Sequence, residues 1–278
     1  MAKTFQELSA VDPLNVLVVD ALNLAFRWKH SGAKTFSEEY VNTVRSLARS
    51  YNCGTILIAS DWGSSSYRKT ILPSYKGNRE LLRAEQTEQE KQAFEAFIQE
   101  FENTLNTLLE NNFKVLRFRN VEADDIAAYI TKFQGAFNHL WLISSDKDWD
   151  LLISDKVSRF SYVTRKETTL ATWSDHYEVP TAKYLTYKCL IGDKGDNIPG
   201  VTGIGPKRAT DIINNYGDIF EIHESLPIPG KQKFIQAIND SADLLLKNVE
   251  LMDLVTYCED AIGLDNCGKI REIVLECL

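Results

Sequence analysis

Residues 15–20 read NVLVVD, a short apolar run that ends in an acidic side chain. Three further short runs, rich in Val, Ile and Leu, lie at residues 55–60, 113–118 and 140–145, and helical patterns separate them. Short buried strands that alternate with helices are typical of the α/β class. We therefore expect a mostly parallel central sheet with helices on both faces.

Acidic side chains gather at the ends of these runs. Asp20, Asp61 and Asp146 close or follow three of the predicted strands, and in parallel sheets ligands bind beyond the carboxyl ends of the strands. The motifs VEADD, SSDKDWD and GDKGDN extend the set of candidate metal ligands, which is Asp20, Asp61, Glu122, Asp124, Asp125, Asp146, Asp148, Asp193 and Asp196. Carboxylates crowded in a water-poor cleft repel one another unless cations neutralise them, and Mg²⁺ prefers oxygen ligands of this kind.

Each acidic motif also has an ordinary structural interpretation. Asp124 and Asp125 are acids of the kind that the helix dipole favours in a first turn. Asp residues after a strand often cap the next helix, and GDKGDN could be a simple turn. Because DxD spacing can point two carboxylates into one site, we favour Asp146 and Asp148 as ligands and assign Asp150 to capping or to the surface.

The composition is that of a globular protein of 278 residues, 44% of them hydrophobic. A formal net charge of −8 argues at first against a polyanionic partner, but without the nine candidate ligands 30 acidic residues face 31 basic ones. Net charge therefore does not exclude DNA. The five cysteines show no zinc-ligand spacing, the four histidines form no metal-binding pair, and GxSxG is absent, which leaves the chemistry to carboxylates. No stretch resembles a signal peptide or a membrane span, so we expect a cytoplasmic protein.

A long insertion at residues 63–112 separates the second and third predicted strands. Its first half is basic, with Arg68, Lys69, Lys76, Arg79 and Arg83, and we expect it to be a mobile segment above the acidic edge. Its second half repeats apolar residues at three- and four-residue spacing, which predicts a helix packed on the core.

From residue 181 the sequence is rich in Gly and Pro, which predicts short helices joined by tight turns, and we place a domain boundary near residue 180. Within this region, GVTGIGPKRATDII places Gly203 and Gly205 just before Lys207 and Arg208. A glycine-rich loop of no special purpose is one interpretation. The other is an anion site, formed by helix amides and adjacent bases, that suits the phosphates of a DNA backbone.

Taken in order, these motifs resemble those of a known family. VVDALNLAFR, SDWGSSSYR, LPSYKGNR, VEADDIAAYI, SSDKDWDLL and IGDKGDNIPGVTGIGPKRA, within residues 14–260, are similar to the 5′ nuclease superfamily and most similar to phage-type flap endonucleases, or 5′-3′ exonucleases. The resemblance implies a PIN-like nuclease core at 1–180 with a helical arch inserted at 63–112. It also implies a helical DNA-binding region at 181–278, with a helix-three-turn-helix element at 185–220. One departure is Ala21, where a Gly commonly follows the first Asp.

The resemblance also implies roles for single residues. The acidic set would hold two or more Mg²⁺ ions, with Mn²⁺ as a substitute, and Asp125 would either share in ligation or support the ligands. Lys76 and Arg79 would be catalytic, assisting at the scissile phosphate. The nucleic-acid contacts would be Arg68, Tyr75, Lys76, Arg79, Arg83, Lys188, Gly203, Gly205, Lys207 and Arg208. In relatives, the loop that matches Val201 to Gly205 often holds a monovalent cation such as K⁺ on its carbonyls.

The implied activity is that of a structure-specific 5′ nuclease of DNA replication or repair. It would cut branched or 5′-flapped DNA, or a duplex with a 5′ end, near the junction, leaving 5′-phosphate and 3′-hydroxyl ends. We expect a monomer, located in the host cytoplasm if the chain is phage-encoded. Two alternatives stay open. A Mg²⁺-dependent phosphatase of small esters would use similar acids, although the DxDxT motif of Asp phosphatases is missing, and a non-catalytic DNA-structure binder would share the fold, although no ligand is lost.

Overall fold

A six-stranded sheet lies at the centre of the first half of the chain. The computed structural model describes residues 11–278. The strands are β1 (Asp12–Asp20), β2 (Cys53–Ser60), β3 (Lys114–Arg117), β4 (His139–Ile143), β5 (Val157–Ser161) and β6 (Lys166–Thr168). Their spatial order is β3-β2-β1-β4-β5-β6, and every neighbouring pair is parallel except β5 with β6. The predicted α/β fold with a mostly parallel sheet is confirmed.

The α-helices within residues 11–278 surround this sheet and continue beyond it. They are α1 (Ala21–Ser31), α2 (Ser37–Ser50), α3 (Ser66–Ile71), α4 (Gly77–Ala84), α5 (Glu88–Glu110), α6 (Ala123–Thr131), α7 (Tyr184–Ile191), α8 (Pro206–Tyr216), α9 (Ile219–Glu224), α10 (Lys233–Asn239), α11 (Ala242–Met252), α12 (Leu254–Ile262) and α13 (Leu264–Leu275). A small hairpin, β7 (Gly192–Asp193) and β8 (Ile198–Pro199), follows α7. None of the helices described is both long and apolar enough to cross a membrane.

The central strand β1 is buried on both faces. Val16 and Val18 belong to a core shared with α6, α12 and α13, whereas Leu17 and Val19 belong to a core shared with α1, α2 and α5. Successive side chains of a strand point to opposite faces, so a strand that is apolar throughout needs cover on both sides. β5 and β6 lie outside the four predicted strands because VSRFS and KET contain no such apolar run.

The insertion between β2 and β3 consists of three helices and short turns. α5 buries Phe97, Phe101 and Leu108 against the sheet, as its apolar spacing predicts. α4 has no buried residue, and the backbone N of Lys76 at its N-cap donates to the carbonyl of Asp196 at 2.9 Å. The basic half is therefore folded and held beside the GDKGDN motif, and its mobility stays a prediction.

The helices after residue 180 are divided between two cores. α7 to α11 form a separate hydrophobic cluster that also contains Tyr75 and Trp173. α12 and α13 instead return to the sheet and pack against α6 through Leu254, Ile270 and Val274. The helices of the predicted region 181–278 thus pack in two clusters, and the region and its boundary near residue 180 stay predictions.

A buried carboxylate joins α2 to α5. Glu100 Oε1 accepts hydrogen bonds from the backbone N of Phe36 at 2.8 Å and from the N and Oγ of Ser37 at 3.2 and 2.8 Å. Burial alone would raise the pKa of Glu100, but these bonds and one from Asn103 outweigh it and hold the pKa below its usual value. A carboxyl group with a depressed pKa stabilises the fold above its unfolded pKa, and this contribution is lost as the pH falls through the folded pKa.

Glu100→Gln is therefore expected to lower the free energy of unfolding at neutral pH by about 1–2 kcal/mol. The difference from the unsubstituted protein should shrink as the pH falls below about 4.3, the usual unfolded value, because Glu100 then becomes protonated. Urea unfolding over this pH range measures both effects, with Glu95→Gln on the exposed face of α5 as the control. A loss that is the same at every pH would contradict a role for the charge of Glu100.

Candidate active site

Carboxylates from three strands meet at one edge of the sheet. Asp20 is the last residue of β1, opposite Ala59 of β2, and Asp61 follows β2 directly. Burial, and then repulsion from Asp61 and Asp146, raise the pKa of Asp20 well above its usual value. The structure therefore brings these three predicted ligands into one electrostatic environment. Glu122 and Asp124 act on the same carboxylates, and we call the five residues together the acidic edge.

Hydrogen bonds orient two carboxylates of the acidic edge. Asp20 Oδ2 accepts from Ser144 Oγ at 2.7 Å and its Oδ1 accepts from Asn23 N at 3.2 Å. Asp61 Oδ1 accepts from the backbone N of Ala123, the first residue of α6, at 2.9 Å. Supporting bonds of this kind commonly orient the carboxylates that bind metal ions.

Asp124, in the first turn of α6, is oriented in the same way. Trp149 Nε1 donates to Asp124 Oδ1 at 2.6 Å. Burial, and then repulsion from Asp146, raise the pKa of Asp124 well above its usual value. No Lys or Arg side chain within residues 11–278 lies at ion-pair distance from Asp20, Asp61 or Asp124. Their mutual repulsion would be relieved by a bound cation.

Two further acids of the set, Glu122 and Asp196, are paired with cations from the insertion. Lys76 Nζ lies 2.7 Å from Glu122 Oε1 and 3.6 Å from Asp196 Oδ2, and Arg79 Nη2 lies 2.6 Å from Asp196 Oδ1. Burial alone would lower the pKa of Lys76, but Glu122 and Asp196 outweigh it and raise the pKa above its usual value. The two predicted catalytic cations are therefore in direct contact with predicted metal ligands.

Lys188 of α7 pairs with two more acids of the set. Its ammonium is in direct contact with Asp148 and lies 3.5 Å from Asp193 Oδ2. Asp193 is on the tight β7–β8 hairpin, where a Cβ on Gly192 would lie 2.2 Å from the backbone N of Gly200. GDKGDN is therefore a turn, as its simpler interpretation predicts, and its two acids pair with Lys188 and with the cations of the insertion.

The nine acids do not close around an ion in this arrangement. Within residues 11–278, no three His, Cys, Asp or Glu side chains are placed so that together they could hold one metal ion. Lys76 and Lys188 each lie between two carboxylates of different motifs, at positions where a cation would be needed to neutralise them. The donor set nevertheless fits a hard divalent cation, because it is composed entirely of carboxylates whose repulsion such a cation relieves.

Arg68 and Asp125 form a buried ion pair behind the acidic edge. Arg68 Nη1 and Nη2 donate to Asp125 Oδ2 and Oδ1 at 2.8 and 2.7 Å, and Arg68 Nε donates to the carbonyl of Leu251 at 2.9 Å. Arg68 is only 4% exposed and Asp125 is fully buried. The predicted contact of Arg68 with DNA stays a prediction, because this ion pair holds the guanidinium inside the protein. Of the two roles predicted for Asp125, support of the ligands fits this pairing, and shared ligation stays a prediction.

Tyr75 and Lys188 are also less accessible than predicted. Tyr75 is 2% exposed and packs in the second core, and its hydroxyl lies within donating distance of Glu122 Oε2 at 2.8 Å and Asp196 Oδ2 at 3.0 Å. Lys188 is buried against the two acids that it neutralises. Lys188 is a counter-charge to Asp148 and Asp193 in this arrangement, and the DNA contacts of Tyr75 and Lys188 stay predictions.

The structure corrects the role predicted for Asp150. It is buried, and Arg159 Nε and Nη2 donate to its two oxygens at 2.5 and 2.8 Å, while the hydroxyl of Tyr177 also donates to it. Its predicted place as a cap or surface residue is wrong. No role was predicted for Trp149 or Arg159. The signal that could have identified Arg159 is its position as the one arginine in an otherwise uncharged segment, VSRFS.

The glycine-rich loop lies between β8 and α8. Gly203 has a positive φ of 78°, and its carbonyl accepts a hydrogen bond from Arg208 Nη1 at 2.5 Å. The guanidinium of Arg208 also lies 4.5 Å from the ring centroid of Phe234. Lys207 is exposed in the first turn of α8, and Gly205 is the N-cap of that helix. Arg208 therefore orders the loop, and both Lys207 and Arg208 are exposed to solvent.

A cleft of about 280 Å³ separates the acidic edge from the insertion. Asp61 and Glu122 line it from the edge, and Lys76, Arg79 and Arg83 line it from the insertion. The insertion also contributes Glu80 and Glu102, and β3 contributes Arg117, so charges of both signs face this cleft. A cleft of this kind suits a ligand that brings both a phosphate and metal ions.

Three features together define a metal-dependent nuclease. They are a mostly parallel sheet with an acidic edge, a basic helical insertion beside this edge, and a basic loop on the helices that follow. The chain belongs to the 5′-3′ exonuclease family. Residues 15–179 match its N-terminal resolvase-like domain, and residues 179–272 match its C-terminal SAM fold.

Relatives agree with this assignment over almost the whole chain. The flap endonuclease of Escherichia phage T5 is 44% identical over 277 residues, which are 98% of this chain and 95% of that protein. A crystal structure of the T5 flap endonuclease with DNA and metal ions superimposes with a TM-score of 0.91 at 44% identity and covers 95% of this chain and 98% of that one. A T5 5′-exonuclease structure with divalent zinc ions has a TM-score of 0.91 at 45% identity and covers 95% and 99% of the two chains.

Proposed function

We propose that this metal-dependent 5′ nuclease holds two or more Mg²⁺ ions at its acidic edge and cuts 5′-flapped or branched DNA near the junction of single strand and duplex. The observation that carries the proposal is the contact of Lys76 with Glu122 and of Arg79 with Asp196. These pairs place phosphate-binding cations directly beside the carboxylates. The metal ligands proposed are Asp20, Asp61, Glu122, Asp124, Asp146, Asp148, Asp193 and Asp196, with Mn²⁺ as a substitute ion.

The chemistry divides between the ions and the side chains. Divalent cations bound at the edge would supply an activated water and neutralise charge on the leaving oxygen. Lys76 and Arg79 would leave their carboxylate partners, bind the scissile phosphate and offset the charge that develops on it. The hydrogen bonds to Asp61 and Asp124 keep these carboxylates oriented while the strand is bound. Cleavage would leave 5′-phosphate and 3′-hydroxyl ends.

The substrate proposal rests on two basic elements at separate places in the fold. The insertion carries Lys76, Arg79 and Arg83 over the cleft, which suits a single-stranded 5′ end. The loop before α8 presents Lys207, which suits the backbone of the adjoining duplex, with K⁺ on the loop carbonyls. We further propose that the protein acts in DNA replication or repair, as a monomer in the cytoplasm.

The direct test is incubation with 5′-labelled flap, nicked and blunt duplex DNA, with and without Mg²⁺, followed by mapping of the product lengths. We expect Mg²⁺-dependent products that end near the flap junction. Hydrolysis of a chromogenic phosphate ester without any cutting of flapped DNA would instead identify a small-molecule phosphatase. Binding of flapped DNA without cutting in Mg²⁺ would identify a non-catalytic binder.

Lys207→Ala is expected to weaken binding to duplex DNA and to reduce the slope of log affinity against log salt by about one unit, because one phosphate contact is lost. Fluorescence anisotropy over a salt series measures the slope. Lys269→Ala is the control, since this exposed lysine lies on α13, which packs on the sheet rather than beside the loop. An unchanged slope for Lys207→Ala would contradict a backbone contact.

A further inference from the structure

A short 3₁₀ helix, Lys147–Leu152, connects the acidic edge to a buried polar network. It begins directly after Asp146, and its successive side chains reach different supports. Trp149 donates to Asp124, and Asp150 binds Arg159 of β5 through both of its oxygens. This short helix therefore contacts Asp124 and Asp146 of the acidic edge and Arg159 of β5.

Arg159 extends the network back to the edge. Its Nη1 donates to the carbonyl of Ser144 at 2.9 Å. The hydroxyl of the same serine donates to Asp20 Oδ2 at 2.7 Å and accepts from the backbone N of Asp146 at 3.1 Å. Hydrogen bonds thus link Asp150 to Arg159 and Arg159 to the carbonyl of Ser144. The hydroxyl of Ser144 then contacts the carboxylate of Asp20 and the backbone N of Asp146.

The burial of this network argues that it does more than stabilise the fold. Arg159 is 5% exposed, and Asp150 and Ser144 are each 2% exposed. A buried ion pair gains little net stability over apolar residues of similar volume, because both charges lose their hydration. The rigid guanidinium fork, however, can hold a carboxylate and a carbonyl at the same time, which a single ammonium cannot do with the same geometry.

We propose that Arg159, fixed by Asp150, is a positioning residue that acts through Ser144 on Asp20 and Asp146 and thereby strengthens Mg²⁺ binding at the acidic edge. The inference rests on the proposed function to the extent that Mg²⁺ binds there. It assigns to β5, a strand without any residue of the acidic set, a specific part in the activity.

The test is Mg²⁺ binding to the DNA-free protein, measured by titration calorimetry with MgCl₂ alone. Arg159→Lys keeps the buried charge and Ser144→Ala removes only a hydroxyl, so each variant retains a partner for Asp150. Each is expected to weaken Mg²⁺ binding by about 10- to 100-fold, the usual cost of losing a group that supports a metal ligand. The Mg²⁺ concentration that gives half-maximal cleavage should rise by a similar factor.

Two further variants separate positioning from general stability. Ile270→Ala removes core volume from α13, on the sheet but away from the network, and is expected to lower the melting temperature without changing Mg²⁺ affinity. The paired change Asp150→Leu with Arg159→Met removes both charges, so that neither is left buried alone. This double variant is expected to fold. It should bind Mg²⁺ more weakly than the unsubstituted protein does, because the carbonyl of Ser144 has lost its donor.

A double-variant cycle tests the path through Ser144. In the Ser144→Ala background, Arg159→Lys should weaken Mg²⁺ binding by much less than it does alone, whereas independent effects would multiply. Mg²⁺ binding to Arg159→Lys that equals that of the unsubstituted protein would overturn the inference while leaving the proposed function intact. If the unsubstituted protein neither bound Mg²⁺ nor cut flapped DNA, the proposed function itself would fail.

Discussion

Asp146→Asn is expected to lower the single-turnover rate of flap cleavage about a thousandfold or more, with little change in affinity for flapped DNA. The substitution removes one negative charge from the acidic edge but keeps the size of the side chain. Its remaining Oδ1 can still accept the hydrogen bond from the backbone N of Asp148, which Asp146 accepts at 2.9 Å. Loss of about 4 kcal/mol of metal-dependent stabilisation in the transition state corresponds to about three factors of ten in rate.

Rates measured at saturating Mg²⁺, and DNA binding measured by anisotropy in EDTA, separate the two effects. Asp155→Asn is a matched control, because Asp155 is an exposed acid a few residues further along the chain and outside the cleft. Asp193→Asn should behave like Asp146→Asn. Undiminished turnover by either variant would show that the ligand assignment is wrong.

Lys76→Ala is expected to lower the cleavage rate by about a hundredfold to a thousandfold, the usual cost of losing one preorganised group that stabilises transition-state charge. Duplex affinity should fall far less, because the lysine is held inside the cleft between Glu122 and Asp196 rather than on the open surface. Single-turnover rates over a range of DNA concentrations distinguish a fall in the maximal rate from a fall in affinity.

Removal of Lys76 also takes a partner from a buried carboxylate, so the melting temperature of the variant must be measured beside its rate. Glu122 keeps its contacts with Arg68 and with the hydroxyl of Tyr75, which should preserve the fold. Arg83→Ala, an exposed cation on α4, is the control and should affect affinity more than rate. Equal losses of rate and affinity in Lys76→Ala would make this lysine a simple phosphate contact.

Much of the fold was predictable because its strands are buried on both faces. β1 needs apolar side chains at Val16, Leu17, Val18 and Val19 alike, so it appears in the sequence as an uninterrupted run. The same rule places Asp20 at the end of the strand, where the apolar run stops. β5 escaped prediction because Arg159 interrupts its apolar character, and that arginine is stable there only through its pairing with Asp150.

The candidate site was predictable in its acids but not in the state of its cations. Arg68, Tyr75 and Lys188 have the residue types of a DNA-binding surface, and they stand in a basic segment or beside acidic motifs. Whether such a side chain faces solvent depends on which partners the fold brings to it. Arg68 meets Asp125, 57 positions away in the chain, and spacing along the sequence cannot reveal that meeting.

The sequence by itself determined the α/β class, the order of its motifs and the gathering of carboxylates at the strand ends, because alternating buried strands and helices leave parallel strands few other arrangements. Only the tertiary structure decided which charges pair. It placed Lys76 and Lys188 between acids of different motifs, buried Arg68 and Asp150 in ion pairs, and returned the last two helices to the sheet. Ion pairing depends on distances of a few ångströms between distant segments, and these exist only once the chain has folded.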